Sequence, residues 1–430
     1  MKLRKVLAMF LVLIMSMSLL AACASDEEKG DTSEEVKTES NETTDKEEAE
    51  APEGLQPEDG AELLVWESEG PEGDFMERAI EEFNKIYPDV TINYEPVGHT
   101  DAKGKLALDG PAGVGADVFA APHDHLGELV ESGLIIPNTE FNANYAETFV
   151  PAAVTAVTYK GETYGYPVSI ETYALFYNKD IVDEPVKTWD ELKEFAKEYN
   201  NPSENKFALM FEAANAYYDY MFLGGYGSKL FGESGEDREQ LGFDNENGVE
   251  AMKFLHSIRT DIMDIAAADI SYDVMMQGFN SGQFPYMING PWAIQDCKDA
   301  GTNFGIVELP VLPNGEHPES FSGVRGLYVS SYTEYPNAAM LFANFCADLE
   351  MTKERFEITH QIPVRTDYQV EDEFIAGVMA QAKYAKPMPA IPEMGSYWTV
   401  MGSVYTNIWE GAEPEAELEA AKEAMLAMYE

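Results

Sequence analysis

Residues 164–180 constrain the fold of this chain more than any other stretch: Tyr-Gly-Tyr-Pro-Val-Ser-Ile-Glu-Thr-Tyr-Ala-Leu-Phe-Tyr-Asn-Lys-Asp. Almost all of it is β-branched or aromatic, and it is longer than one ordinary strand of about five or six residues. Pro167 interrupts it near the start. The reading is therefore a strand ending at Tyr166, a crossing over residues 168–172, and a second strand ending at Tyr177. Asn178-Lys179-Asp180 then turns the chain away. Glu171 stands in the middle of this apolar run, and a buried carboxylate without a partner is costly, so it should meet a polar group or a ligand. Two strands that join two domains and hold one acid between them organise the rest of the chain.

The chain begins with Lys2, Arg4 and Lys5, followed by an apolar run over residues 6–20. That run is too short for a comfortable membrane span of about 20 residues, and its flanks are those of a cleaved export signal over residues 1–22. Leu20-Ala21-Ala22-Cys23 resembles the bacterial lipobox, in which the cysteine is lipidated and becomes the new N-terminus. The expected location is the outer face of the cell membrane, with Cys23 as the lipid anchor. An uncleaved anchor helix is the alternative. Residues 24–60 lack aromatics and are dense in Glu, Asp, Ser and Thr, so they cannot bury enough apolar surface to offset chain entropy. With Cys23 they read as a disordered acidic tether over residues 23–60.

Residues 61–430 are long enough for two domains. Hydrophobic residues at 45% supply the cores, and a formal charge of −50 repels nucleic acid and anionic ligands, so neither is an expected partner. Beyond Cys23, two cysteines remain, Cys297 and Cys346. An oxidising exterior permits one disulfide, but the domain reading below separates them, and free thiols are expected.

Strands and helices alternate. Strands are expected at residues 62–67, 90–95, 117–120 and 285–289. Helices are expected at 74–87, 126–132, 189–199, 249–263, 271–281, 338–348 and 414–428. The helix at 189–199 has Thr188 as N-cap with Glu191 at its third position, the pattern of a capping box. Alternation of this kind argues for α/β domains with ligands beyond the carboxyl ends of the strands. The glycine-rich residues 110–115 contain Pro111 and lack dinucleotide spacing, so they make a weak phosphate loop.

At the level of motifs, the chain resembles the extracellular sugar-binding lipoproteins of ABC importers, specifically the maltose/maltodextrin-binding branch. The matching pieces include Leu64-Val65-Trp66, Asp117-Val118-Phe119, His123-Asp124, Tyr166-Pro167 with Glu171, Lys187-Thr188-Trp189 and Ala208-Leu209-Met210-Phe211. Asn289-Gly290-Pro291-Trp292 marks the wider group. Met388-Pro389-Ala390-Ile391-Pro392 followed by Trp398 marks the branch. The resemblance implies a type II, two-lobed periplasmic-binding-protein-like α/β fold that is a monomer, without cofactor or metal. Its lobes would be residues 61–169 plus 327–372 and residues 173–320 plus 373–430. Crossings would lie around Glu171 and over Phe321-Ser322-Gly323-Val324-Arg325-Gly326, where the two glycines suit a hinge.

Carried over residue by residue, Trp292, Trp398, Tyr217 and Tyr218 match the family's aromatic plates, Tyr272 matches a further ligand-contacting tyrosine, and Asp124 and Glu171 match carboxylates that accept from sugar hydroxyls. The chemistry agrees, because a pyranose offers an apolar C–H face and a rim of hydroxyls. Competing readings stand beside several of these assignments. Tyr217-Tyr218 could be core of one helix, Trp398 and Tyr397 could divide between cleft and core, and Glu171 could pair with an arginine, although the chain has few. The sequence departs from the branch at Ala121-Pro122 in place of a tryptophan, at His125 in place of an arginine, and at Asn215 in place of a glutamate. Those changes leave differently linked, longer or cyclic glucans open.

No catalytic signature appears: Gly-x-Ser-x-Gly and His-Glu-x-x-His are absent. His123-Asp124-His125 lacks a third metal ligand nearby in sequence. The expected function is thus non-enzymatic: a substrate-binding subunit that closes on a maltooligosaccharide and delivers it to ABC permease subunits. The alternatives are a cell-surface glycoside hydrolase using two carboxylates such as Asp124 and Glu171, or a binding protein for another oligosaccharide.

Overall fold

In the computed structural model the described residues are 54–429. The segment expected to be an export signal (residues 1–22), the expected lipidation site Cys23 and most of the expected acidic tether lie outside the described residues.

The first strand, β1, forms over Glu62–Glu67. Its alternation places Leu63 and Val65 in one apolar cluster and Trp66, with Leu64, in another on the opposite face, so both faces of the sheet are covered. Parallel neighbours β2 (Thr91–Pro96) and β3 (Val118–Pro122) flank it. Helix α1 (Pro71–Ile86) returns the chain between β1 and β2. It starts earlier than the periodicity indicated, because Gly70 takes a φ of 82° and Pro71 occupies the first helical position, where its missing N–H is no loss.

The organising stretch forms β4 (Tyr166–Glu171) and β5 (Ala174–Asn178). The expected break at Pro167 does not occur. Pro167 lies inside β4 opposite Gly326, where the register slips, and β4 is an edge strand, the two settings in which a sheet tolerates proline. The crossing shrinks to Thr172 and Tyr173.

Further strands are β6 (Leu209–Met210), β7 (Tyr286–Asn289), β8 (Phe304–Val307), β9 (Phe321–Val329) and β10 (Lys386–Pro387). One sheet runs β10-β9-β3-β1-β2 with β4 also on β9; the other runs β8-β5-β7-β6. Residues 321–326, read as a glycine hinge, form the first part of the continuous strand β9. Gly323 and Gly326 serve close packing there: a Cβ on each would stand 3.0 Å from Met388 or Tyr328. The two sheets make a two-lobed α/β fold, and Thr172 ties two crossings together by donating to the Phe321 carbonyl at 2.7 Å.

The helix over Trp189–Tyr199 is capped as expected, Thr188 Oγ1 accepting from Glu191 N–H at 3.1 Å. The Glu191 carboxylate accepts from Lys187 N–H rather than from the cap residue itself. Cys297 and Cys346 are buried free thiols in separate clusters.

Candidate ligand-binding cleft

Strand ends converge on one cavity of about 880 Å³. From the first sheet, Ser68 follows β1, His99 follows β2, and the single turn His123–His125 follows β3. From the second, Asn215 and Tyr217 follow β6 and Trp292 follows β7. Helix α2 (Ala216–Gly225) carries Tyr217, and helix α3 (Met394–Trp409) brings Trp398.

Six of the seven residues assigned to ligand from the sequence line this cavity: Asp124, Glu171, Tyr217, Tyr272, Trp292 and Trp398. Tyr218 does not. It is buried, its ring packs on Tyr173 at 5.0 Å, and its hydroxyl lies 3.4 Å from Asn289 Oδ1. Successive residues of a helix point about 100° apart, so α2 can turn only one of the tyrosine pair to the cleft. The core reading wins for Tyr218. For the other pair both readings hold: Tyr397 is buried, its hydroxyl donating to the Ala216 carbonyl at 2.9 Å and accepting from Tyr405, while Trp398 faces the cavity.

Trp292 owes its place to the Asn-Gly-Pro turn. The indole lies so close over Gly290 that a Cβ there would be 2.1 Å from its ring atoms. Any side chain at 290 would lift the indole away.

Asp124 is buried, and Oδ2 accepts from Trp398 Nε1–H at 2.8 Å. Its Oδ1 is buried with no hydrogen-bond partner among the described residues. Desolvation raises the carboxyl above the usual range, with the Trp398 bond opposing. Neighbouring His123 is a strut: Nδ1 accepts from Val324 N–H at 3.1 Å and Nε2 faces the Met388 carbonyl at 2.9 Å. A backbone amide only donates and a carbonyl only accepts, so the ring is the neutral Nε2–H tautomer. Burial holds its pKa down. With both nitrogens engaged, His123 is not free to bind metal. Burial and Lys103 push His125 down to about 4.

Glu171 lines the cavity, yet its carboxylate is already engaged. Arg325 Nε donates to it at 2.8 Å and Gln361 Nε2 at 2.9 Å. The arginine partner given less weight from the sequence is present. Arg325 also meets Glu67 at 2.6 Å and Glu72 at 3.5 Å, and Arg355 reaches Glu67 at 3.4 Å. Burial pulls Arg325 down, and Glu171, Glu67 and Glu72 outweigh it, so its charge is held firmly. Glu72 is raised, mainly by desolvation.

The three departures from the branch pattern all matter spatially, since Pro122, His125 and Asn215 line the cavity. Asn215 is the N-cap of α2, Oδ1 accepting from Tyr217 N–H at 2.9 Å. It positions the tyrosine through the helix. Lys103, Asp101 and Arg325 also line the cavity and were not identified from sequence. The available signal for the first two was their place just beyond the carboxyl end of β2; Arg325 offered none, being one charge inside an apolar strand.

Residues 78–382 match the bacterial extracellular solute-binding protein family, and the chain belongs to it. It is 32% identical over 347 residues to a maltotriose-binding protein of Pyrococcus abyssi, covering 78% of this chain and 75% of that protein. It is 29% identical over 377 residues to a galactooligosaccharide-binding protein of Bacillus subtilis, covering 85% and 88%. A solved cyclo/maltodextrin-binding protein complexed with maltotetraose is 34% identical, with a TM-score of 0.72, over 86% of this chain and 97% of that one.

Proposed function

We propose that this chain is the extracellular substrate-binding subunit of an ABC transporter and captures maltodextrin-type oligosaccharides by closing its two lobes on them. The observation that carries this reading is the unpartnered, buried Oδ1 of Asp124 beside the half-buried indole of Trp398, with Trp292 and Tyr217 lining the same cavity. An acceptor without a donor beside aromatic faces suits a hydroxyl-rimmed ring with apolar C–H faces. Ligand would stabilise the closed form by binding residues of both lobes at once.

In this reading the lobes are residues 61–169 with 327–372 and residues 173–320 with 373–430, Cys23 carries the lipid anchor at the outer face of the membrane, and permease subunits receive the sugar. The chain binds without catalysing. A second reading, capture of another oligosaccharide, draws on the galactooligosaccharide-binding relative and on the replacements at Ala121-Pro122 and His125.

A tryptophan-fluorescence titration tests the proposal, because two of the five tryptophans line the cavity. Maltotriose, maltoheptaose and a cyclodextrin should give saturable changes and cellobiose none. Response only to galactooligosaccharides would favour the second reading. Release of reducing sugar over hours would reject a purely binding role.

A further inference from the structure

The helix over Leu349–Thr359 ends on His360, whose φ of 54° is a left-handed cap that turns the chain out of the helix. Ile362 then meets Ile170 of β4 in an antiparallel bridge, the Ile170 N–H donating to the Ile362 carbonyl at 2.9 Å. An antiparallel pair at 170 and 362 sets 361 against 171, so Gln361 arrives beside Glu171. Gln361 is 2% exposed and is not part of the cavity wall, whereas Glu171 and Glu72 are.

The side-chain amide of Gln361 is bonded on both ends. Nε2 donates at 2.9 Å to Glu72 of α1 and at 2.9 Å to Glu171 of β4. Oε1 accepts from Ser169 Oγ at 3.0 Å and from Arg355 Nε at 2.9 Å. A guanidinium can only donate, so Oε1 must face Arg355 and the NH₂ group must face the two acids. The surrounding charges are Arg325 and Arg355 against Glu67, Glu72 and Glu171, with His99 held neutral by burial. Two cations thus meet three carboxylates. An uncharged amide supplies one N–H to each of two acids without adding to that excess.

We infer that Gln361 is a positioning residue for the cleft: its NH₂ group bridges Glu72 and Glu171 and fixes both carboxylates in the cavity wall as acceptors for ligand hydroxyls. This rests on the oligosaccharide reading above and deepens it, because it sets Glu72 beside Glu171 as a second acceptor. Gln361 acts through the two acids and touches no ligand itself. Glutamate at 361 is nearly isosteric and puts a fourth carboxylate where the amide stood. Like-charge repulsion then favours uptake of one proton by the cluster, and that proton restores one of the two bridges. Without it, repulsion drives Glu72 and Glu171 out of place.

Calorimetric titration of the full chain with maltotriose, at about pH 5.5 and about pH 8.5, tests it. Gln361→Met, of similar length and without donors, should weaken binding about tenfold at both values, the worth of one or two polar contacts. Gln361→Glu should bind about tenfold more weakly than the unaltered chain at the higher pH and recover most of that loss at the lower. Asp124, His99 and His125 are present in both chains, so the difference between them reports residue 361. Ser169→Ala removes one donor that orients the amide and leaves every charge in place. It should cost about two- to threefold in affinity, and it keeps the test decisive if the Gln361 variants do not fold. Variants that melt earlier yet bind with unaltered affinity and pH profile would overturn the inference and leave the function intact. Absence of binding to any α-glucan by the unaltered chain instead removes the function reading, and the positioning role falls with it.

Discussion

Trp398 Nε1–H donates to Asp124 Oδ2 at 2.8 Å, and this bond joins helix α3 to the turn that follows β3. Trp398 packs against the core of the second sheet, whereas Asp124 follows a strand of the first. Two side chains assigned to sugar recognition thus hold each other across the cleft. The bond fixes the indole and leaves the other carboxylate oxygen to accept from a hydroxyl.

Removing the plate separates its two roles. Trp398→Ala should lower α-glucan affinity by about 2–3 kcal/mol, whereas Trp398→Phe keeps an aromatic face and should lose only about 1 kcal/mol. Calorimetry on the two variants measures this difference. Unchanged affinity in both would exclude Trp398 from the site.

Gly290 is predicted to matter as much as the tryptophan it supports. Its φ of −103° is open to any residue, so Gly290→Ala introduces no backbone strain, only a methyl group where the Trp292 ring now lies. Sugar affinity should fall by about tenfold or more, with folding little changed. Fluorescence titration beside thermal denaturation would reveal the opposite result, a loss of stability with affinity intact.

Arg325 gathers three carboxylates, Glu67, Glu72 and Glu171, and is itself buried. Arg325→Met would leave those acids with Arg355 as their remaining arginine partner. Breaking one side of a buried ionic network is expected to cost about 3–5 kcal/mol. The urea midpoint should drop accordingly; a midpoint within error of the original would mean that the network reorganises.

His125 gives a pH dependence of definite sign. Its folded pKa lies near 4, below the 6.5 of an unperturbed histidine. Between those values the unfolded chain takes up a proton that the folded chain refuses, so stability is full above pH 6.5 and is lost on acidification, levelling below 4. The single-residue effect is at most about 3 kcal/mol. Raised carboxyls such as Glu72 and Asp124 act in the reverse sense, being stabilised as acid neutralises them. The comparison is therefore with His125→Gln: thermal denaturation at pH 7 and pH 4.5 should show a smaller acid loss in the variant than in the unaltered chain.

The sequence by itself determined what depends on neighbours along the chain. A short apolar run bounded by Glu62 and Glu67 marked β1, Thr188 and Glu191 marked a helix start, and the Asn289-Gly290-Pro291-Trp292 turn marked a place to present an indole. The helix over Leu349–Thr359 was not delimited by the sequence, because its buried face mixes Thr352, Arg355 and Thr359 with Met351 and Phe356, and polar residues on the buried side blur an apolar 3.6-residue stripe. Tertiary structure alone decided which of two adjacent tyrosines faces the ligand, since that depends on how α2 is rotated against its core. It also decided that Pro167 stays in a strand, through a register slip opposite Gly326. The partners of Glu171 belong to the same class: Arg325 is 154 residues away and Gln361 190 away, and no local pattern encodes a meeting at that separation. Residue types fixed the chemistry available to the cleft; the packing of two sheets fixed which groups are already engaged and which remain open to a sugar.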